Sequence, residues 1–168
     1  MQFSKEFEDI YIKYSDKIYR YIYLSTFDPY LSEDITSETF LKIWKSWERI
    51  KRDFIQALLY KTAKNILIDH WRKHKNGKKV SLETTVELGL EPSYDEDLIE
   101  KMHKDANLQK INDALKLVPE NLKEVLILRF VDDLSAKEAA EILDTSEVNI
   151  RVLQFRGLKK LKEVIKNE

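Results

Sequence analysis

The sequence predicts an all-α protein made of two small helical domains joined by a flexible acidic linker. Three observations carry this expectation. Only three Gly and three Pro occur among 168 residues, against abundant Leu, Ile, Lys and Glu, a balance that favours helices and starves a sheet of turns. Apolar residues recur at three-and-four spacing along most of the chain. From residue 75 to residue 97 that period fails: Gly77 and Pro92 punctuate a run dominated by Glu83, Glu87, Glu91, Asp95, Glu96 and Asp97. The expected domains are therefore 1–74 and 98–168, with 75–97 as linker, in which Leu82, Val86, Leu88 and Leu90 allow some local docking.

Each element follows from the pattern. Between Phe3 and Phe27, Phe7, Ile10, Tyr11, Tyr14, Ile18, Tyr21, Ile22 and Leu24 define one tyrosine-rich core helix. Asp28 and Pro29 break it. Ser32 is read as the cap of a second helix, SEDITSETFLKIWKSW, whose first turn carries Glu33 and Asp34, where the helix dipole favours acids. Ile35, Phe40, Ile43, Trp44 and Trp47 form its buried side, and Asp34, Ser37, Glu38 and Lys42 its solvated one. A short charged connection, Glu48 to Asp53, leads to FIQALLYKTAKNILIDHWRK, residues 54–73.

That third helix has two faces. Ile55, Leu59, Ala63 and Ile66 suit a core; Lys61, Asn65, Ile68 and Arg72 form a second stripe, with Lys64 and Trp71 beside it. Amines, an amide that donates and accepts, and an indole suit single-stranded nucleic acid, since cations track phosphates while flat groups meet unstacked bases. A solvated basic face beside a core tryptophan satisfies the same pattern.

Beyond the linker, Leu108, Ile111, Leu115 and Val118 mark one helix, ended by Pro119, which also opens the next. NLKEVLILRFVDD then buries Leu122, Val125, Leu126 and Phe130. Ser135 and Glu138 make a capping box for a short helix through Ala139, Ala140, Ile142 and Leu143. The turn at Asp144 and Thr145 leads to Ser146, the cap of a final basic helix. Asp144 stands where many such turns place Gly, and aspartate tolerates positive φ. Short helix, tight turn and capped helix make a helix-turn-helix, whose second helix enters a major groove. Ile150, Leu153 and Leu161 point inward, Gly157 permits close approach to a neighbour, and Glu147, Asn149, Arg151, Phe155 and Arg156 remain outside. Trihelical packing without DNA is the alternative.

Composition bounds the function. Without cysteine there are no disulfides or thiolate metal sites, and His70, His74 and His103 form no recognisable ligand set. No catalytic constellation stands out, so an enzyme and a bound cofactor are not expected. The charged opening MQFSKEFEDIY lacks the apolar core of a signal peptide, and no apolar run is long enough to span a bilayer, which points to a soluble cytoplasmic chain. A formal net charge of −1 argues against a generic DNA-coating protein. The charge is segregated, however. Lys61, Lys64, Arg72, Lys73, Lys75, Lys78 and Lys79 form one basic block; Arg151, Arg156, Lys159, Lys160, Lys162 and Lys166 form another, with the acidic run between them.

SEDITSETFLKIW, LLYKTAKNILIDHWRK, VPENLKEVLILRFVDDLSAKEAAEIL and TSEVNIRVLQFRGLKKL, in this order and separation, resemble regions 2.2, 2.3 to 2.4 and 4 of the bacterial extracytoplasmic-function (group 4) sigma factors. The resemblance covers most of the chain outside the linker. It implies a region 2 bundle and a region 4 helix-turn-helix, acting as the promoter-specificity subunit of RNA polymerase rather than as an enzyme. By the same resemblance, Asp34, Ser37, Glu38 and Lys42 bind the clamp helices of the β′ subunit. Asn65 lines a pocket for a flipped non-template base of the minus-ten element, completed by the Glu48 to Asp53 loop, and Lys61, Lys64 and Arg72 hold that strand. The helix capped by Ser146 reads the minus-thirty-five element with Glu147, Asn149, Arg151, Val152, Phe155 and Arg156, while Lys159, Lys160 and Lys162 reach phosphates. Region 4 docks on the β flap, and a sequestering anti-sigma factor is a further implied partner. The chain departs from the family at Ser37, usually Gln, and at Leu58, commonly Trp. Two rivals remain at this level: a stand-alone regulator that binds duplex DNA without polymerase, and a protein-interaction module with idle DNA faces.

Overall fold

The computed structural model describes residues 4–75 and 106–167, so the linker expected at 75–97, its leucines and valine, the domain start near Leu98 and His103 lie outside the described residues. The chain divides into two compact units, residues 1–94 and 95–168. Among the described residues the secondary structure is helical throughout.

In the first unit, α1 (Lys5–Thr26), α2 (Pro29–Lys45) and α3 (Ile55–Lys75) pack pairwise against one another. Ser4 caps α1 by accepting from the Phe7 N–H at 3.2 Å, and Phe27 closes it in the left-handed region at φ 55°. Phe7, Tyr14, Ile18, Tyr21, Ile22 and Leu24 are buried as the period predicts. Phe7 meets the rings of Phe40, Trp44 and Trp47 at 6.4, 5.0 and 5.2 Å, and Tyr21 meets Tyr60 of α3 edge-on at 5.4 Å. Such ring pairs each add about 0.5–1.5 kcal/mol beyond their area.

Helix α2 starts earlier than the Ser32 reading placed it. Pro29 occupies the first turn, where its missing N–H costs nothing, and the Asp28 carboxylate caps the Leu31 N–H at 3.1 Å. Ser32 lies inside the helix and donates its hydroxyl back to the Asp28 carbonyl at 2.6 Å. Thr36 and Thr39 donate in the same way to the carbonyls of Ser32 and Ile35, both at 2.7 Å. A hydroxyl satisfied by its own helix packs like a small apolar group, which is how Ser32, Thr36 and Thr39 come to be buried. The face expected to be solvated is accordingly only half so: Asp34 and Ser37 are buried, at 6% and 7% exposure, whereas Glu38 and Lys42 reach solvent and pair at 3.7 Å.

Two short 3-10 turns, Trp47–Arg49 and Arg52–Phe54, connect α2 to α3. Ile55, Leu59, Ala63 and Ile66 then enter the core with Tyr60 and Leu67.

The second unit contains α4 (Ala106–Lys116), α5 (Glu120–Leu126), α6 (Ala136–Leu143) and α7 (Glu147–Lys166), with α7 packed against the other three. In α4, Leu115 is buried, and so is Val118 just beyond it, but Ile111 is exposed; Asn112 and Ala114 take the inward positions, and the Leu108 side chain lies outside the described residues. After α5 the chain widens into a π turn, Ile127–Val131, closed by the Asp132 N–H donating to the Ile127 carbonyl at 3.0 Å. The extra residue per turn shifts the buried register. Ile127 and Leu128 go inside, and Phe130, expected in the core, is 53% exposed.

Candidate nucleic-acid interfaces

The first interface is the outer side of α3. Asn65 and Arg72 are exposed, Lys61, Lys64 and Ile68 are half-buried, and Trp71 projects beside them. Positions 61, 65, 68 and 72 follow the helical repeat, so their side chains share one stripe. Arg72 pairs with Asp69 at 3.7 Å, both well exposed, a contact that solvent screens heavily. At the far end of the helix, His70 stacks on His74 with ring centroids 5.9 Å apart, and its Nδ1 is buried without a hydrogen bond. Burial lowers the His70 pKa from its ordinary value; His74 and Lys73 push the same way, against Asp28 and Asp34.

The connection before α3 is built around one residue. The Arg52 guanidinium lies 3.7 Å from the Trp47 ring centroid, donates to the carbonyls of Trp47 and Ile50 at 2.5 and 2.6 Å, and pairs with Glu6 of α1 at 3.3 Å. A planar fork on a ring face, with two carbonyls within reach, is a geometry that lysine cannot reproduce. Beside it opens a cleft of about 510 Å³, lined by Trp44, Trp47, Lys45, Glu48 and Arg49 among others. The sequence reading passed Arg52 by as part of a charged connection. Its partners lie two to five residues back and on another helix, and no short-range pattern announces them.

The second interface is α7. Ser135 and Glu138 complete the capping box at 3.0 Å each way, Asp144 ends α6 at φ 52°, and Ser146 caps α7 by accepting from the Asn149 N–H at 3.1 Å. All three were legible in the sequence. Ile150 is fully buried, Leu153 and Leu161 half-buried, and Gly157 lies against Leu126. Arg129, also missed by the sequence reading, fastens α7 to the start of α6: it donates to Gln154 Oε1 at 2.9 Å and to the Leu134 carbonyl at 2.6 Å. Ser146, Glu147, Asn149, Arg151, Val152, Phe155, Arg156 and Lys159 are all exposed. Arg151 pairs with Glu147 at 3.4 Å, and the Asn149 amide donates to Thr145 Oγ1 at 2.8 Å. A capped helix with basic groups outside, held rigidly on a helix-turn-helix, is able to lie in a major groove.

Among the described residues no helix is long and apolar enough to cross a membrane, and no group of three or more carboxylates and imidazoles stands ready for a metal ion.

Known families agree with this division. The family model of sigma-70 region 2 matches residues 10–77, and that of sigma-70 region 4 matches residues 108–161. The ECF RNA polymerase sigma factor SigM of Bacillus subtilis (strain 168) is 28% identical over 156 residues, covering 92% of each chain. The RNA polymerase sigma factor SigV of the same organism is 31% identical over 129 residues, 75% of this chain and 70% of its own. Among solved structures, the sigma factor RpoE of Bartonella quintana, crystallised with the anti-sigma factor NepR, shares the fold at a TM-score of 0.73 and 17% identity, over 97% of this chain and 98% of that one. Two helical units, each with an outward cationic helix, match the two conserved regions of one family: the chain belongs to the extracytoplasmic-function sigma factors, the non-enzymatic subunits that direct RNA polymerase to promoters.

Proposed function

We propose that this chain, as a group 4 sigma factor, divides promoter recognition between its units: residues 1–74 take the minus-ten element as melted single strand, and residues 98–168 take the minus-thirty-five element as duplex, with 75–97 as the connection. The observation that carries this is the difference between the two basic faces. The α3 stripe mixes an exposed amide and an exposed indole with Lys61, Lys64 and Arg72, as unpaired bases require. The α7 face is a capped helix of a helix-turn-helix, with Ser146, Glu147, Asn149, Arg151, Val152, Phe155, Arg156 and Lys159 exposed, as duplex reading requires. Asn65 receives an extruded base, and flipping costs a few kcal/mol that the site must recover. Each module binds weakly alone because its contacts are few and salt-sensitive. Held on polymerase at fixed spacing, they act together through effective concentration.

Core polymerase engages α2. With Asp34 and Ser37 buried, the part of that face open to the polymerase is Glu38 and Lys42. The sigma factor RpoE, crystallised with the anti-sigma factor NepR, suggests a sequestering partner for this chain too, and the cytoplasm, where polymerase works, is its place.

Separate variants test the division on a promoter transcribed by the reconstituted holoenzyme. Asn65→Ala is expected to reduce strand opening, seen as permanganate reactivity of thymines, while core binding stays intact. Arg151→Ala is expected to reduce closed-complex formation and leave opening of a pre-melted template unchanged. Equal loss of core binding in both variants would contradict the assignment.

A further inference from the structure

Resting on the minus-thirty-five reading, we propose that α7 selects its site chiefly through the 5-methyl groups of thymine. Three side chains carry this: Val148, Val152 and Phe155, exposed at 69%, 40% and 71%. They stand at i, i+4 and i+7, so they form one apolar stripe on the outward side of the helix. Three polar groups of the same region already have partners. Arg151 is held by Glu147 at 3.4 Å, the Asn149 amide by Thr145 at 2.8 Å, and the Ser146 hydroxyl by the Asn149 N–H at 3.1 Å. Hydrogen-bond reading by these three must first exchange those partners, whereas the stripe is available as it stands.

In a major groove the thymine methyl is the distinctive apolar feature of a base edge. Arg156, Lys159 and Lys160, all exposed, border the stripe with positive charge, which fits a polyanion and would sit badly against a lipid interior or a purely apolar partner. Seven residues of helix advance roughly 10 Å, about three base-pair steps. The stripe therefore reads two or three thymines, on either strand, within about four base pairs.

The test uses the full chain bound to core RNA polymerase and a pool of promoter duplexes with a randomised upstream segment. The selected duplex is then resynthesised with deoxyuridine for thymidine in that segment, which removes only the methyl groups. Binding is expected to weaken about fourfold for each thymine read, the effect of exposing one buried methyl. Phe155→Ala is expected to weaken the thymidine duplex and to shrink the difference between the two duplexes; Val148→Ser, a smaller change at a similarly open position of the stripe, does the same. Equal binding of both duplexes by a holoenzyme that still prefers the selected upstream segment overturns methyl reading and leaves the minus-thirty-five assignment standing. No upstream preference at all overturns both. A Phe155→Ala chain that assembles poorly with core, while its DNA preference persists, makes the stripe a protein surface and overturns the proposal.

Discussion

Replacing Arg52 with alanine removes a ring contact, two hydrogen bonds and an ion pair at once, and its cost can be worked from their surroundings. The guanidinium side chain is 32% exposed and Glu6 57% exposed, so the ion pair contributes only tenths of a kcal/mol after screening. The face of Trp47 at 3.7 Å adds about 0.5–1 kcal/mol. The carbonyls of Trp47 and Ile50 accept charge-assisted bonds worth about 1.5–3 kcal/mol each when fully desolvated, but water replaces much of that at a half-open site. The sum is about 2 kcal/mol, which in a unit of this size lowers the melting temperature by about 8–16 °C. Tryptophan fluorescence is a selective reporter, because all three tryptophans, Trp44, Trp47 and Trp71, belong to the first unit. Arg52→Lys keeps the charge but not the fork and is expected to recover less than half of the loss. A shift below about 2 °C for alanine, or full recovery by lysine, would refute the staple and leave a merely electrostatic contact.

Three further outcomes follow from the packing. Gly157→Ala gains about 1 kcal/mol of helix propensity, yet its Cβ would stand 3.1–3.3 Å from three atoms of Leu126, a side chain only 4% exposed; overpacking costs about 1–3 kcal/mol, so urea unfolding of the second unit, followed by backbone signals because every tyrosine and tryptophan belongs to the first unit, should show a net loss near 1 kcal/mol. His70 has its folded pKa lowered by burial, so the unfolded chain takes up the proton first. Its contribution is complete above its ordinary value of 6.5 and is lost as pH falls through the folded value; the urea midpoint of the first unit should drop on acidification, and less steeply in His70→Gln. Asp144→Val places a β-branched residue at φ 52° and should destabilise the second unit by about 1–2 kcal/mol, whereas Asp144→Gly should be neutral or stabilising in the same assay.

Where structure is decided by a few neighbouring residues, the sequence was enough to read it. The α3 core stripe, the Ser135 and Glu138 capping box, the left-handed Asp144 and the Ser146 cap are all local, and each is found where the pattern places it. Ser32 was a plausible cap displaced by a better one, Asp28 followed by proline. Asp34 and Ser37 read as solvated because polarity suggests solvent, yet both lie buried, on a helix where Thr36 and Thr39 also turn inward by bonding their hydroxyls to the preceding turn. Phe130 fell on the wrong side because a π turn changes the period that assigned it. Arg52 and Arg129 escaped notice because each joins nearby backbone carbonyls to a side chain on another helix, Glu6 and Gln154, a combination that no short-range pattern announces.

Run-off transcription with core RNA polymerase and a pool of promoter fragments, with and without this chain, tests the central claim most directly. The account predicts new transcripts whose templates share two upstream elements at fixed spacing, use of the nearer one weakened by Asn65→Ala and use of the farther by Arg151→Ala. Binding to core without any new transcript, or transcripts sharing a single element insensitive to one of the two substitutions, would contradict it.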